Sequence, residues 1–168
     1  MTAEHQEELK NEIQRLIKLL GMKTAVYNIE TREGTDGKAY IMELSPRGGG
    51  NRLSECLRYA TGVDMITNMV KYSVGLPLDE ITQKPYDGCW AEIILHSDEP
   101  GIFKELWISD EIADNVVERD LWIEEGTEVG GFTAANEAIG TLILKLESQE
   151  RIEEVLCNQS KYVKVILK

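Results

Sequence analysis

The chain has 168 residues, 42% of them hydrophobic, which is enough for one globular domain with a core, or for one domain with a small appendage. It contains 18 Lys and Arg residues against 30 Asp and Glu residues, and the resulting net charge of -12 would repel nucleic-acid phosphates and anionic membrane surfaces. This charge argues against nucleic acid and membrane surfaces as partners.

The cysteines and the first residues of the chain indicate the compartment. Cys56, Cys89 and Cys157 lie far apart and form no C-x-x-C pair, which is typical of free thiols in a reducing environment. The opening segment MTAEHQEELKNEIQ is acidic and polar, unlike a secretory signal or a transit peptide, and no apolar run approaches the roughly 18 residues of a membrane span. We therefore expect a soluble, cytoplasmic protein without a membrane segment.

The first third of the chain predicts one helix followed by a hairpin. Apolar residues recur at spacings of three and four over residues 4–20, and Gly21 stands where a glycine often ends a helix. Residues 22–30 and 38–45 alternate between apolar and polar positions, and Asp36-Gly37 between them is a strong turn signal. We expect two paired antiparallel strands after the helix.

The rest of the chain predicts two further helices and then mostly strands. Residues 51–62 and 63–75 carry helical apolar spacing, and each segment ends on a glycine. Strands are expected around CWAEIILHS, IFKELWIS, NVVERDLWI and AIGTLILKLE, followed by a helix with Ser148 as its N-cap and a last strand, YVKVILK. The sequence thus predicts an α+β fold, an antiparallel sheet flanked by helices. A boundary near 78–86 is expected to separate a lobe at 1–80 from a small α+β subdomain at 81–168.

The predicted hairpin brings acidic side chains together. Side chains two apart on a strand share a face, and a two-residue turn at Asp36-Gly37 would place Glu30 opposite Glu43 and Asn28 opposite Ser45. Like charges directly opposite each other are destabilising, so a cation is expected between them. Mg²⁺ commonly uses one or two carboxylates together with water and phosphate oxygens. The alternative is a solvated strand face that carries two glutamates.

The turn after the second strand offers groups for an anion. Arg47 lies just past the strand end, and its guanidinium suits a phosphate or carboxylate oxygen. Gly48, Gly49 and Gly50 let the backbone approach a ligand closely and lead into a helix N-terminus, where anions bind. The alternative is a tight corner without a ligand. A dinucleotide fingerprint and a P-loop are excluded, because Leu53 replaces the third glycine of the first motif and the Gly-Lys-Ser/Thr ending of the second is absent.

These motifs occur in an order that resembles a known family. The first helix is followed by AVYNIETREG, then KAYIMELSPRGGG, then LSECLRYATGVDMITNMVKYSVGLPL, over about residues 4–78. This order and spacing resemble the C-terminal half of the ATP-grasp fold, as found in biotin carboxylase, carbamoyl-phosphate synthetase and L-amino-acid ligases. The likeness of the later residues to the small β-rich C-terminal subdomain of the amino-acid ligases is much vaguer.

The resemblance implies roles for individual residues. Glu43 would bridge Mg²⁺ or Mn²⁺ and the phosphates of ATP, and Glu30 would be the second acidic ligand. Ser45 would be a further metal ligand at a position where the family usually has asparagine. A hydroxyl is a weaker metal ligand than an amide carbonyl, which leaves the second metal in question. Arg47 would be the catalytic residue, in contact with phosphate or with the acyl-phosphate intermediate. The residues that bind the cofactor phosphates would be Arg47, Gly48 and Gly49.

The resemblance also implies an ATP-dependent carboxylate–amine ligase or a related enzyme. Such enzymes activate a carboxylate by phosphoryl transfer from ATP and then let an amine displace the phosphate. In the family, ATP lies between two lobes, and the N-terminal lobe would precede the first helix. We therefore expect the chain to be inactive alone and to combine with an N-terminal lobe, in a longer chain or as a split-enzyme partner; a homodimer is left open. The expected substrates are a small carboxylate and an amine.

Other functions compete with a ligase. A non-catalytic interaction module that keeps the fold is the main alternative. A free-standing metal-dependent phosphohydrolase is disfavoured, because no further acids or histidines cluster around the hairpin in the sequence. His5, on a polar helix face, and His96, after an apolar strand, are not expected to act as catalytic bases.

Overall fold

The computed structural model describes residues 1–82 and 84–168, and these form helices and antiparallel strands in the mixed arrangement that the sequence predicts. Residue 83, inside the predicted boundary segment 78–86, lies outside the described residues. None of the helices in the described residues has both the length and the apolar composition of a membrane span.

The chain forms two compact units, each built from two stretches of sequence. The first unit contains Met1–Gly50 and Asp64–Glu80, and the second contains Asn51–Val63 and Ile81–Lys168. The helix predicted at 51–62 thus belongs to the unit that holds the later strands. The division into folding domains at residue 80 stays a prediction.

Helix α1 (Ala3–Leu20) opens the first unit and confirms the helix predicted at 4–20. The Thr2 side chain caps its N-terminus by accepting a hydrogen bond from the His5 amide at 3.2 Å. Gly21 ends the helix with a φ of 59°, in the left-handed region that glycine adopts without steric cost. The apolar stripe of α1 buries Leu9.

Strands β1 (Asn28–Glu33) and β2 (Ala39–Ser45) pair antiparallel and confirm the predicted hairpin. α1 packs against β2, where Ala39 is buried and its amide donates to Glu8 Oε2 at 3.3 Å. The first strand begins at Asn28, so the prediction of a strand from residue 22 is wrong for residues 22–27. Alternation alone does not make a strand, because its backbone groups need a partner strand.

His5 links α1 to the turn of the hairpin. Its Nδ1 contacts the Glu33 carboxylate, and its Nε2 lies 2.9 Å from the Gly37 carbonyl oxygen. Both partners offer acceptor oxygens, an arrangement that favours the imidazolium form of His5, in which both ring nitrogens donate. The hydrogen bond to Glu33 raises the pKa of His5, and the Gly37 carbonyl and the charge of Glu8 raise it further. The same hydrogen bond lowers the pKa of Glu33, and the Met1 amino group, 3.8 Å away, adds to this.

Helix α3 (Met65–Ser73) also belongs to the first unit. The Asp64 side chain caps it by accepting from the Thr67 amide at 2.8 Å. Asn68 is buried, and its Oδ1 accepts from the Asp79 amide at 2.8 Å. The segment that follows α3 therefore folds back onto the helix.

The described residues of the second unit form two three-stranded antiparallel sheets. The strands of one sheet, in spatial order, are β3 (Cys89–Leu95), β7 (Gly140–Leu146) and β5 (Val116–Leu121). Those of the other are β6 (Glu128–Val129), β4 (Gly101–Ile108) and β8 (Val163–Leu167). The helices are α2 (Leu53–Thr61), α4 (Asp110–Ala113), α5 (Gln149–Cys157) and α6 (Gln159–Tyr162). The sequence does not predict β6, α4 or α6, because elements this short carry too little periodicity.

Buried side chains from both sheets and from α5 form one hydrophobic core in the second unit. β7 is the central strand of its sheet, and Leu142, Ile143 and Leu144 on it are fully buried. Such a continuous apolar run is expected of a strand that is covered on both faces. The Ser148 side chain accepts from the Arg151 amide at 3.1 Å, which confirms the predicted N-cap of α5.

Tyr162 is a fully buried anchor in this core. Its hydroxyl donates to Glu154 Oε1 at 2.7 Å. It also accepts from Arg151 Nη1 and from Lys161 Nζ, each at 3.1 Å. The hydroxyl therefore satisfies its hydrogen-bonding capacity while the ring is removed from water.

Candidate metal and phosphate site

The hairpin has the register that the sequence predicts at its acidic residues. Glu30 pairs with Glu43, and Asn28 pairs with Ser45. Residues that pair directly across two strands share a face, and so do residues two apart on one strand. Asn28, Glu30, Glu43 and Ser45 therefore occupy one face of the hairpin, as two neighbouring cross-strand pairs.

The turn and the strand pairing that produce this register differ from the predicted two-residue turn. The Gly34 amide donates to the Lys38 carbonyl at 2.8 Å, and Gly37 has a φ of 77°, so the loop has three residues instead of two. A three-residue loop alone would shift the pairing by one residue. The register shifts back beside Glu30, where Met42 is left without a partner on β1. This bulge restores the predicted pairing of the two glutamates.

The acidic face of the hairpin is the face that α1 leaves uncovered. Glu33 pairs with Ala39, which is buried where α1 packs, and Glu30 lies three residues from Glu33 and so on the opposite face. The Glu30 side chain is 50% exposed and accepts from Arg32 Nη2 at 3.1 Å. Glu43 is also exposed. Both carboxylates are thus accessible to a ligand from solvent.

Ser45 and Asn28 differ in how their polar atoms are used. The Ser45 hydroxyl donates to Glu43 Oε1 at 2.6 Å, so it holds that carboxylate in place. Asn28 is half-buried, and its side chain has no hydrogen-bond partner in the described part of the chain. The face therefore carries two carboxylates, one hydroxyl that supports a carboxylate, and one amide without a partner.

Arg47 lies beyond the end of β2 and is exposed. Its Nη1 donates to the carbonyl oxygen of Gly48 at 2.8 Å, and its amide donates to the Ser45 carbonyl at 2.9 Å. No ion pair joins Arg47 to Glu30 or Glu43 in the described structure. The Arg47 guanidinium thus binds a carbonyl of the turn in which Arg47 lies, and the structure does not place it against Glu30 or Glu43.

In the turn after β2, left-handed backbone conformations occur after the three glycines, not at them. Among the described residues of this turn, positive φ values occur at Asn51, with 51°, and at Arg52, with 67°. A Cβ atom placed on Gly50 would meet open space. The glycines at 48–50 are therefore not required by backbone handedness, and their role as phosphate contacts stays a prediction.

A charged cluster that sequence reasoning missed lies in the second unit. Arg52, which precedes α2, contacts the Glu118 carboxylate and lies 2.8 Å from Asp120 Oδ2 and 3.3 Å from Glu55 Oε1. Its side chain is only 22% exposed, so these ion pairs are partly shielded from solvent. Glu118 and Asp120 lie on β5, far from Arg52 in sequence, and no local signal connects them.

Glu92 on β3 belongs to the same cluster. α2 packs against β3, and burial raises the pKa of Glu92 to about 7. The negative charge of Glu55 also raises this pKa, whereas the positive charge of Arg52 lowers it. Its Oε1 is buried and has no hydrogen-bond partner among the described residues. Burial also raises the pKa of the neighbouring Cys56 thiol. The cluster therefore holds one carboxyl group that is poorly compensated.

A pair of aromatic rings contacts this cluster through the Tyr59 hydroxyl. The Tyr59 and Trp90 rings stack with centroids 5.5 Å apart, and the Tyr59 hydroxyl donates to Glu118 Oε2 at 2.8 Å. That hydrogen bond raises the pKa of Tyr59. These contacts join α2, β3 and β5 within the second unit.

Comparison with solved structures finds matches over the whole chain. The phosphoribosylglycinamide synthetase of Anaerococcus prevotii is 24% identical with a TM-score of 0.78, and the match covers 100% of this chain and 43% of that chain. The L-amino acid ligase of Bacillus licheniformis is 16% identical with a TM-score of 0.78, over 100% of this chain and 42% of that chain. The chain has the fold of the C-terminal part of ATP-grasp enzymes. The resemblance noted in the sequence is thus confirmed for the fold.

Other solved structures match the same part of the ATP-grasp fold. The biotin carboxylase domain of the Hydrogenobacter thermophilus 2-oxoglutarate carboxylase, in complex with MgADP, ADP and bicarbonate, is 15% identical with a TM-score of 0.71. That match covers 99% of this chain and 37% of that chain, so the chain spans about two fifths of the length of the structures it matches. No protein-family model matches the chain, and a comparison with curated proteins finds no match.

Proposed function

We propose that this chain is the C-terminal part of an ATP-grasp carboxylate–amine ligase or a related enzyme. The observation that carries the proposal is the pairing of Glu30 with Glu43 on the uncovered face of the hairpin, in a chain with this fold. Two like charges directly opposite each other destabilise a sheet unless a cation lies between them, and Arg32 neutralises only Glu30. A bound divalent cation would remove the repulsion at both residues.

The donor set of the hairpin suits Mg²⁺ or Mn²⁺. No group of three or more His, Cys, Asp or Glu side chains able to hold a metal ion occurs in the described residues. Two carboxylates are sufficient when the remaining ligands are water molecules and substrate phosphate oxygens, which is the usual case for Mg²⁺. The cation supplies neutralisation of phosphate charge when it is bound. Glu30 and Glu43 would hold it, and the oxygen of Ser45, whose proton is donated to Glu43, would be a further ligand.

The proposed reaction has two steps. A carboxylate oxygen of the substrate attacks the γ-phosphorus of ATP, the bond to the β,γ-bridging oxygen breaks, and ADP leaves. The amine nitrogen then attacks the acyl carbon, phosphate leaves, and the amine loses a proton. Arg47, with its guanidinium exposed, would bind the transferred phosphate, and the turn at Gly48 and Gly49 would contact the nucleotide phosphates.

The proposal includes an N-terminal ATP-grasp lobe, in a longer chain or as a separate subunit, because the chain spans only 37 to 44% of the matched enzymes. The first unit exposes large apolar side chains that such a lobe would cover: Leu19, Leu20, Met42 and Val74, each more than 60% exposed. The same exposure also favours the alternative, a non-catalytic interaction module. The free cysteines and the acidic composition support a cytoplasmic location.

The substitution Glu43→Gln tests the metal role, because it removes one charge and keeps the size of the side chain. We expect the variant to lose about tenfold or more in affinity for Mn²⁺ in the presence of ADP, with an unchanged far-UV circular dichroism spectrum. Glu124→Gln is the matched control, since Glu124 is an exposed glutamate of the second unit with no side-chain ion pair in the described structure. Equal metal affinity of the two variants would overturn the metal role.

The requirement for a second lobe has its own test. The isolated 168 residues should not form ADP from ATP with a carboxylate and an amine, and the native protein should have the mass of a longer chain or of a complex with another subunit. Turnover by the isolated chain at ordinary enzyme rates would show that no further lobe is needed. A Glu43→Gln protein that keeps full activity in the native assembly would favour the non-catalytic module for this chain.

A further inference from the structure

We propose that the free edge of β8 binds an extended, acidic segment of a partner polypeptide, which adds a strand to the sheet of β6, β4 and β8. This edge lies in the second unit and is formed by residues that the ligase reaction does not use. It recognises the main chain of the segment, one apolar side chain, and a carboxylate two residues further along.

β8 is an edge strand, because in the described residues it pairs with β4 alone. Hydrogen-bonded and non-hydrogen-bonded pairs alternate along an antiparallel ladder. The Ser109 amide donates to the Tyr162 carbonyl at 2.8 Å, so Lys164 is the next residue of β8 whose backbone groups face β4. The amide and carbonyl of Val165 therefore point away from β4, and no hydrogen bond reaches them from the described residues.

A groove of about 410 Å³ runs along this edge. Four consecutive residues of β8, at 163–166, line it, together with residues 96–98 after β3 and with Gln159 and Ser160 of α6. Neighbouring side chains of a strand point to opposite faces, so a groove lined by all four residues follows the edge of the strand. At about 3.3 Å per residue, these four residues span about 10 Å, which a short extended peptide segment covers.

The segment that follows β3 is held in place by its own contacts. The His96 ring packs against Phe132 with centroids 4.2 Å apart, and its Nδ1 lies 3.2 Å from the Ile94 carbonyl oxygen. Ser97 is buried, and its hydroxyl donates to the Glu99 carbonyl at 2.7 Å. The Phe132 amide donates to the Ser97 carbonyl at 2.8 Å. The groove is thus formed in advance, which reduces the entropy lost when a peptide binds.

The side chains beside the groove specify the chemistry of the occupant. Lys164 is exposed, its Nζ lies 5.1 Å from the centre of the Trp107 ring, and no ion pair joins it to a carboxylate in the described structure. Lys164 and Ile166 share a face of β8. When an added antiparallel strand pairs one residue with Val165, the two neighbours of that residue lie opposite Lys164 and Ile166. Asp or Glu opposite Lys164 and an apolar residue opposite Ile166 make favourable cross-strand pairs.

A second copy of this chain is a poorer occupant of the same edge. Two β8 strands related by a two-fold axis at Val165 would place the two Lys164 residues on a diagonal about 7–8 Å apart. Each copy also carries a net charge of -12. Lysine on an edge strand opposes pairing between copies, whereas a carboxylate opposite Lys164 turns its charge into an attraction.

The probe is a capped, fluorescein-labelled heptapeptide in which valine, valine and glutamate alternate with threonine. Its affinity for the 168-residue chain is measured by fluorescence anisotropy. The glutamate peptide should bind about fivefold more tightly than the same peptide with lysine in place of glutamate. Methylation of the amide of the threonine before the glutamate removes the donor that faces the Val165 carbonyl and should weaken binding by about tenfold or more.

Two variants and one exchange measurement locate the bound peptide. Lys164→Glu should reverse the preference, so that the lysine peptide binds about fivefold more tightly than the glutamate peptide. Lys23→Glu makes the same charge change at an exposed lysine of the first unit without a side-chain ion pair, and should leave the preference unchanged. In the original chain, saturating glutamate peptide should slow hydrogen exchange of the Val165 amide by about tenfold or more.

Several results would overturn the proposal. One is the absence of binding to the original chain, and another is equal affinity for the glutamate, lysine and methylated peptides. Binding that leaves the exchange of the Val165 amide unchanged would place the peptide elsewhere. A dimer in sedimentation velocity that protects the Val165 amide and is dissociated by the peptide would assign the edge to a second copy instead. If Lys164→Glu unfolds, the methylated peptide and the exchange measurement decide the question in the original chain.

Discussion

Removing the charge of Glu92 should stabilise the protein, and the gain should depend on pH. Burial against α2, together with repulsion from Glu55, raises the pKa of Glu92 from 4.5 to about 7. Between these two values the folded protein holds a proton that the unfolded chain releases, so stability falls as the pH rises through this window. Below pH 4.5 there is no penalty, and above pH 7 the penalty is complete. Glu92→Gln removes the titration and therefore the penalty.

The size of the effect follows from the same values. Each pH unit of pKa change corresponds to about 1.4 kcal/mol, so a rise from 4.5 to about 7 limits the penalty to about 3 kcal/mol. Glu92 is only half-buried, and solvent screening reduces the expected gain in the free energy of unfolding to about 1–2 kcal/mol above pH 7.

Urea unfolding between pH 5 and pH 8.5, followed by far-UV circular dichroism, measures this gain. Glu92→Gln should match the original chain most closely at pH 5, gain on it as the pH rises, and level off above pH 7. Glu124→Gln makes the same charge change at an exposed site and should show no such dependence. A gain that is constant across this range, or a loss at high pH, would refute the assignment of an uncompensated carboxyl group to Glu92.

Three further predictions concern contacts within each unit. His5→Ala should lower stability most between pH 4.5 and 6.5, where His5 and Glu33 are both charged. The raised pKa of His5 contributes stability that is lost as the pH rises through the folded-state pKa of His5, and the lowered pKa of Glu33 contributes stability that is lost as the pH falls through the folded-state pKa of Glu33. Thermal midpoints in this window and at pH 9 measure the effect. Arg52→Ala should lower the free energy of unfolding by about 2 kcal/mol, because the ion pairs of Arg52 are lost. Arg52→Gly should lower it by about 1 kcal/mol less than Arg52→Ala, because the backbone at residue 52 has a left-handed φ of 67°, which glycine adopts without steric cost. Tyr162→Phe should cost about 1–2 kcal/mol by removing the hydroxyl that joins Glu154 to its neighbours, as measured by urea unfolding; a neutral result would show that this network does not stabilise the core.

The hairpin shows how far local sequence signals reach. Alternation and the turn signal predicted that Glu30 and Glu43 pair, and they do. The route was wrong, because neither the three-residue loop that ends at Gly37 nor the bulge at Met42 leaves a distinct pattern in the alternation. The loop shifts the register by one residue and the bulge shifts it back. A hydrophobic pattern averaged over several residues does not detect two such opposite shifts.

The helices show the same limit at a larger scale. The apolar stripe and Gly21 predicted α1, and Ser148 predicted the start of α5, because caps and stripes are properties of neighbouring residues. The partners of His5 and Arg52 were not predicted, since each is supplied by an element that the chain reaches only after folding.

By itself, the sequence determined the types and order of the main elements, the antiparallel hairpin with its opposed glutamates, and the resemblance to the ATP-grasp fold. These features depend on residue spacing along the chain, which a sequence displays directly. Only the tertiary structure decided that α1 leaves the acidic face uncovered, that Ser45 is bonded to Glu43 while Asn28 is not, and that α2 covers Glu92. The physical reason is that burial and hydrogen bonding are set by contacts between distant segments, such as Tyr59 and Glu118, which are 59 residues apart.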